Sequence, residues 1–214
     1  MADLPIELPQ ELADRLALCL DVEGKIPRAL NALGPLEGRD VVLLDGQGGL
    51  RARQLVDLGA RLTVVAPEAL SALSGGGKDA LVSLWSGFRD SNFAEVAETE
   101  RGLRSGGRLL VVHDYGRDDV SRLRAAELPE YGAWSRRDGW FLQNGFKLRV
   151  IHCWWTWQNL QEAREFLEVA FGQTSAAVVA AMRRPRLSYN IAIYHRSKAG
   201  QSIDEAGAAL AGRA

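Results

Sequence analysis

Four groups of residues in this chain have types and spacings that could do chemistry. Asp45, Gly46, Gln47, Gly48 and Gly49 form a glycine-rich turn directly after the apolar run Val41–Leu44. Glycine accepts φ > 0, and such a turn before a helix lets backbone N–H groups meet a ligand at the positive end of the helix dipole. The same glycines would also serve an ordinary tight turn. His113-Asp114-Tyr115 closes another apolar run. There His113 could act as a general base titrating near neutrality, or the triplet could be a strand-end turn capped by Asp114. Trp85, Ser86 and Arg89 follow a third run, and the planar fork of Arg89 suits a carboxylate or phosphate unless it simply lies in solvent. His152, Trp154, Trp155 and Trp157 form an aromatic cluster that could wall a flat or cationic substrate or fill core.

The elements that must position these residues can be read from apolar periodicity. Leu12, Leu16 and Leu20 repeat at helical spacing, as do Ile26, Ala29, Leu30 and Leu33, which stop at Gly34-Pro35. Strands are predicted at 41–44, 62–66, 80–85, 108–113, 147–155 and 187–195, and helices at 50–58, 93–104, about Val120–Glu127, and 160–171. Residues 175–182 fit either state. Ser105-Gly106-Gly107 is read as the turn into the fourth strand. Strands that are almost wholly apolar suit a parallel sheet covered on both faces, and strand-helix alternation argues a doubly wound α/β fold. On a strand, adjacent side chains point to opposite faces, so Asp114 need not orient His113, and Trp154 and Trp155 face opposite ways.

Composition narrows the function classes. A 214-residue chain that is 47% hydrophobic, with a net charge of −1, supports a real core and gives no global field toward nucleic acid or anionic membranes. Two cysteines, Cys19 and Cys153, are too few for a disulfide scaffold and read as buried thiols. There is no signal segment and no long apolar span, which leads to the expectation of a cytoplasmic protein. Spacings for a metal site, a phosphate loop and a nucleophile elbow are all missing. As a dinucleotide fingerprint the glycine turn fails at Arg51. Arg183, Arg184 and Arg186 form a basic run of the kind that is usually a solvated face.

Five segments, LLDGQGG, DALVSLWSGF, LRSGGRLLVVHDY, RVIHCWW and YNIAIYHR, resemble the class I S-adenosylmethionine-dependent methyltransferases across residues 25–196. The resemblance implies a doubly wound, Rossmann-like methyltransferase sheet, mostly parallel, with an antiparallel last strand inserted between its two predecessors. It divides the chain into a helical cover (1–38), the α/β domain (39–197) and an unstructured tail (198–214). S-adenosylmethionine would be held by Asp45, Gly46, Gln47, Gly48 and Gly49, by Ala66 and Glu68 at the end of the second strand, and by Trp85 and Ser86. His113, Tyr115 and Asp114 would be the catalytic group, and Arg89, Trp154 and Trp155 would face a small-molecule methyl acceptor, with no metal. A homodimer is compatible with the tryptophan surface.

Three departures from the family pattern bear on this. Leu50 stands where the loop usually has a third glycine. Ala66 stands where the second strand usually ends on an acid for the ribose, so that Glu68 would substitute only if the chain bends. Residues 67–80 are too few for the usual helix, third strand and return. The same departures motivate the alternative of a non-catalytic methyltransferase-like protein that has lost the cofactor and acts as an interaction or regulatory module.

Overall fold

The computed structural model describes residues 4–44, 49–73, 75–88, 93–123 and 133–199. Two helices, α1 (Gln10–Cys19) and α2 (Lys25–Leu33), precede the sheet. Then come β1 (Asp40–Leu44), α3 (Leu50–Asp57), β2 (Arg61–Val65), a 3₁₀ turn (Pro67–Ala72), β3 (Lys78–Leu84), α4 (Phe93–Gly102), β4 (Leu103–Asp114) and α5 (Asp119–Leu123). The last part holds α6 (Trp140–Gln143), β5 (Lys147–Thr156), α7 (Leu160–Phe171), a second 3₁₀ turn (Gly172–Ser175), α8 (Ala176–Ala181) and β6 (Arg186–Ser197).

The six strands are ordered β2-β1-β3-β4-β6-β5. β2, β1, β3 and β4 are mutually parallel, and β6 lies antiparallel to both β4 and β5, between them. This is the expected insertion of the last strand. The central strands are apolar throughout because both faces are covered. Val41, Leu43, Val82, Leu110, Val112, Ile191 and Ile193 pack under α1, α2, α3 and α7, while Val42, Leu44, Leu81, Leu109, Val111 and Tyr194 pack under α4 and α6.

One local difference from the sequence expectation has a physical cause. The Ser105-Gly106-Gly107 segment is not a turn before β4 but a bulge within it. Register to β3 jumps from Lys78↔Leu103 to Ala80↔Arg108, so the extra residues loop out. Gly107 is required there, since a Cβ would meet the Arg104 carbonyl oxygen at 2.8 Å, and Gly106 takes φ +71°. The ambiguous 175–182 stretch is helical. The N-terminal helices, besides sharing a core with Val41 and Leu43, are tied to β5: Leu20 bridges to Trp155, the Asp21 amide donates to the Trp154 carbonyl at 3.0 Å, and Lys25 Nζ donates to the His152 carbonyl at 3.0 Å.

As expected from its length, the 67–80 segment holds one 3₁₀ turn before β3. This leaves β2 at the sheet edge, with Val64 45% exposed. No helix among the described residues is long and apolar enough to cross a membrane. Residues 200–214, most of the expected tail, lie outside the described residues.

Candidate functional site at the carboxyl edge of the sheet

β1 connects to β2 on one side and, through β2, to β3 on the other. The chain therefore changes direction at β1/β3, the place where open α/β sheets form a crevice beyond their carboxyl ends. Four non-glycine residues among those described have positive φ: Asp21 (56°), Trp85 (54°), Phe88 (55°) and Arg117 (59°). All four lie at this edge. Trp85 and Phe88 follow β3, Arg117 follows β4, and Asp21 is bonded to the end of β5. Such conformations cost about 1–3 kcal/mol each and persist only where the surroundings enforce them.

The structure places the predicted residues unevenly. Gly49 caps α3 in an extended conformation, while Asp45, Gly46, Gln47, Gly48 and Arg89 lie outside the described residues. Ala66 and Glu68 are exposed, and Glu68 lies in the first turn of the 3₁₀ segment that starts at Pro67, just past the end of β2. Trp85 is buried and stacks 6.5 Å from Tyr189. The buried Ser86 accepts a hydrogen bond at its carbonyl from the Ser83 hydroxyl.

His113 and Asp114 point to opposite faces, as strand alternation requires. His113 is wholly buried, 4.9 Å from the ring of Trp134 and 6.0 Å from that of Phe141. Asp114 is buried on the other face, where it accepts a hydrogen bond from the Tyr189 hydroxyl. Tyr115 is half-buried, with the Arg117 guanidinium 5.8 Å from its ring centre.

The two tryptophans assigned to substrate also part company. Trp155 has no exposed surface and packs among Trp157, Phe171 and Tyr189, so it is core rather than a substrate wall. Trp154 is half-buried on the other face, with the Arg186 guanidinium 4.2 Å above its ring. It borders an open cleft of about 470 Å³ at the same edge of the sheet, beside β5 and β6.

Several residues at this edge carry no local sequence signal. Tyr189 meets Asp114 only because β6 is inserted beside β4. Arg51, where the dinucleotide pattern fails, is buried and donates from Nη2 to the Leu20 carbonyl at 2.6 Å and from Nη1 to Gln54 Oε1 at 2.8 Å. Asp118 accepts from the amides of Asn190 (2.6 Å) and Ser121 (2.7 Å), yet burial pushes its carboxyl above the ordinary aspartate range. Burial likewise raises the Cys153 thiol, which leaves it protonated and unreactive.

A three-layer sheet with a crevice at β1/β3 and an antiparallel strand between β4 and β5 is the Rossmann-like methyltransferase fold. Two solved structures share it at low sequence identity. A candidate type II methyltransferase from Anaeromyxobacter dehalogenans is similar with a TM-score of 0.51 and 16% identity, over 82% of this chain and 96% of that one. A candidate methyltransferase from Bacillus halodurans C-125 is similar with a TM-score of 0.53 and 14% identity, over 82% of this chain and all of that one. No family model matches the sequence, and no curated protein matches it.

Proposed function

We propose that this chain is an S-adenosylmethionine-dependent methyltransferase acting on a small molecule. The observation that carries the reading is the gathering along the carboxyl edge of the four non-glycine residues with positive φ among those described, two of them flanking Ser86 at the end of β3. Backbone outliers of this kind cluster at ligand sites, and this is the edge where such sheets bind ligands.

The residues fit the cofactor in part. In this reading the amino end of α3 offers backbone N–H groups, Trp85 and Ser86 stand at the end of β3, and the exposed Glu68 follows the end of β2, where it would meet the ribose hydroxyls. Bound there, S-adenosylmethionine supplies a methyl group on a sulfonium, transferred in line to the acceptor. The chain's own work is then to align the acceptor, exclude water and take up a proton where the acceptor has one to lose. Of the catalytic triplet, Tyr115 alone is open enough to meet the acceptor directly. His113 lies beneath Trp134 and Phe141, and Asp114 holds Tyr189.

Isothermal titration with S-adenosylmethionine and S-adenosylhomocysteine, with NAD as control, tests this. Micromolar binding of the first two, weakened at least tenfold by Glu68→Ala or Gly46→Val, is expected. Silence at millimolar cofactor, in protein shown to be folded, overturns it. That outcome would favour the non-catalytic reading, for which Ala66 at the end of β2 and the bare β2 edge speak.

A further inference from the structure

The cleft beside β5 and β6 combines a flat aromatic wall with an excess of positive charge. Trp154 forms one side, with Arg186 held above its ring. Val178, Met182 and Leu187 give an apolar lining, and Arg122, Arg183 and Arg184 stand around the opening. The single acid in the lining, Asp119, is already engaged. Its carboxylate accepts from the Ser188 amide at 3.0 Å and the Ser188 hydroxyl at 2.7 Å, and Arg122 approaches it at 3.3 Å. Arg183 turns back on its own chain, donating to the Ala180 carbonyl at 3.1 Å. Among the described residues no carboxylate forms an ion pair with Arg184 or Arg186.

We infer that this cleft binds a small organic anion: a flat or apolar body packed against the apolar lining beside Trp154, with its carboxylate or phosphate held by Arg184 and Arg186. Three features lead there. The volume, about 470 Å³, lies in the range of small-molecule sites. Arginine presents a planar fork that matches carboxylate and phosphate and stacks on aromatic rings, whereas a cationic ligand would meet a lining with four arginines to one acid. Helix α8 has no buried residue of its own, so Val178 and its neighbours leave apolar surface facing the cleft. The inference concerns binding alone and holds whether or not methyl transfer does. If both hold, the cleft lies two to three strand spacings, roughly 10–15 Å, from the end of β3 and would anchor the far end of an acceptor.

Calorimetric titration with 1-naphthoate, 1-naphthyl phosphate and the neutral 1-naphthalenemethanol tests it without the methyl-donor cofactor. One or both anions are expected to bind at least tenfold more tightly than the alcohol, and the stronger of the two identifies the headgroup. Arg184→Gln with Arg186→Gln should abolish that preference while lowering the thermal unfolding midpoint only slightly, since Arg184 is exposed and the one contact the Arg186 guanidinium is seen to make among the described residues is with the Trp154 ring. Trp154→Leu should weaken the anion and the alcohol together. Equal binding of alcohol and anions, no binding at millimolar ligand, or an anion preference that survives the double substitution overturns the inference.

Discussion

At the scale of single residues, burial and charge decide which candidates can act. Tyr189 and Asp114 form a buried pair across β4 and β6, and removing either side leaves a polar group without its partner. Asp79 gives the clearest pH dependence. Burial alone would raise its carboxyl. The Asp40 amide at 2.9 Å, Arg104 at 2.5 Å and Arg39 at 3.5 Å outweigh this and hold it below the ordinary aspartate range. A depressed folded pKa means that the stabilisation is present above the unfolded value, near 4, and is lost as pH falls through the folded value. Asp79→Asn should therefore cost about 1 kcal/mol at pH 6. Urea denaturation at pH 6 and pH 3 should show a smaller cost at pH 3. A cost that is the same at pH 3 would assign Asp79 a purely geometric role. His113 shows the opposite lesson. Its position at a strand end made it the natural base, but it points into the aromatic core under α6, while the less conspicuous Tyr115 stays accessible.

At the scale of elements, the helices are set by local chemistry that the sequence states openly. The predicted span 160–171 coincides with α7, and its first turn shows why. Asn159 Oδ1 accepts from the Glu162 amide at 2.9 Å, and Glu162 reaches back to the Gln158 amide at 3.0 Å. This is a close variant of the reciprocal cap that closes helix amino ends. Asn159→Ala should cost roughly 1 kcal/mol. Guanidinium unfolding would read the loss as a lower midpoint at constant slope; an unchanged midpoint would mean that packing of Phe166 and Leu167 alone fixes this helix. The bulge in β4 was less legible. Two glycines after a serine read equally well as a turn or as a bulge, and only the partner register of β3 selects between them.

At the scale of the whole molecule, the core between the sheet and the layer of α1, α2, α3 and α7 buries both cysteines. Burial raises Cys19 to about 11, and Cys153 is pushed up as well. Neither thiol should react with a disulfide reagent at pH 8 within minutes in the native state, and two equivalents should react after unfolding in guanidinium. Rapid native reaction of one equivalent would show that the N-terminal helices open from β5. Read alone, the sequence determined the layering, the strand order implied by the resemblance, and the shortened passage after β2, because apolar runs, glycine turns and segment lengths are local properties. It also marked the carboxyl edge as the place to look. What only the tertiary structure decided was which side chains meet there. Tyr189 reaches Asp114 across 75 residues of sequence, Arg186 comes to lie on Trp154, and Trp155 is taken into the core, one residue from Trp154. These contacts depend on the insertion of β6 between β4 and β5 and on the alternation of strand faces, and no window of neighbouring residues contains either.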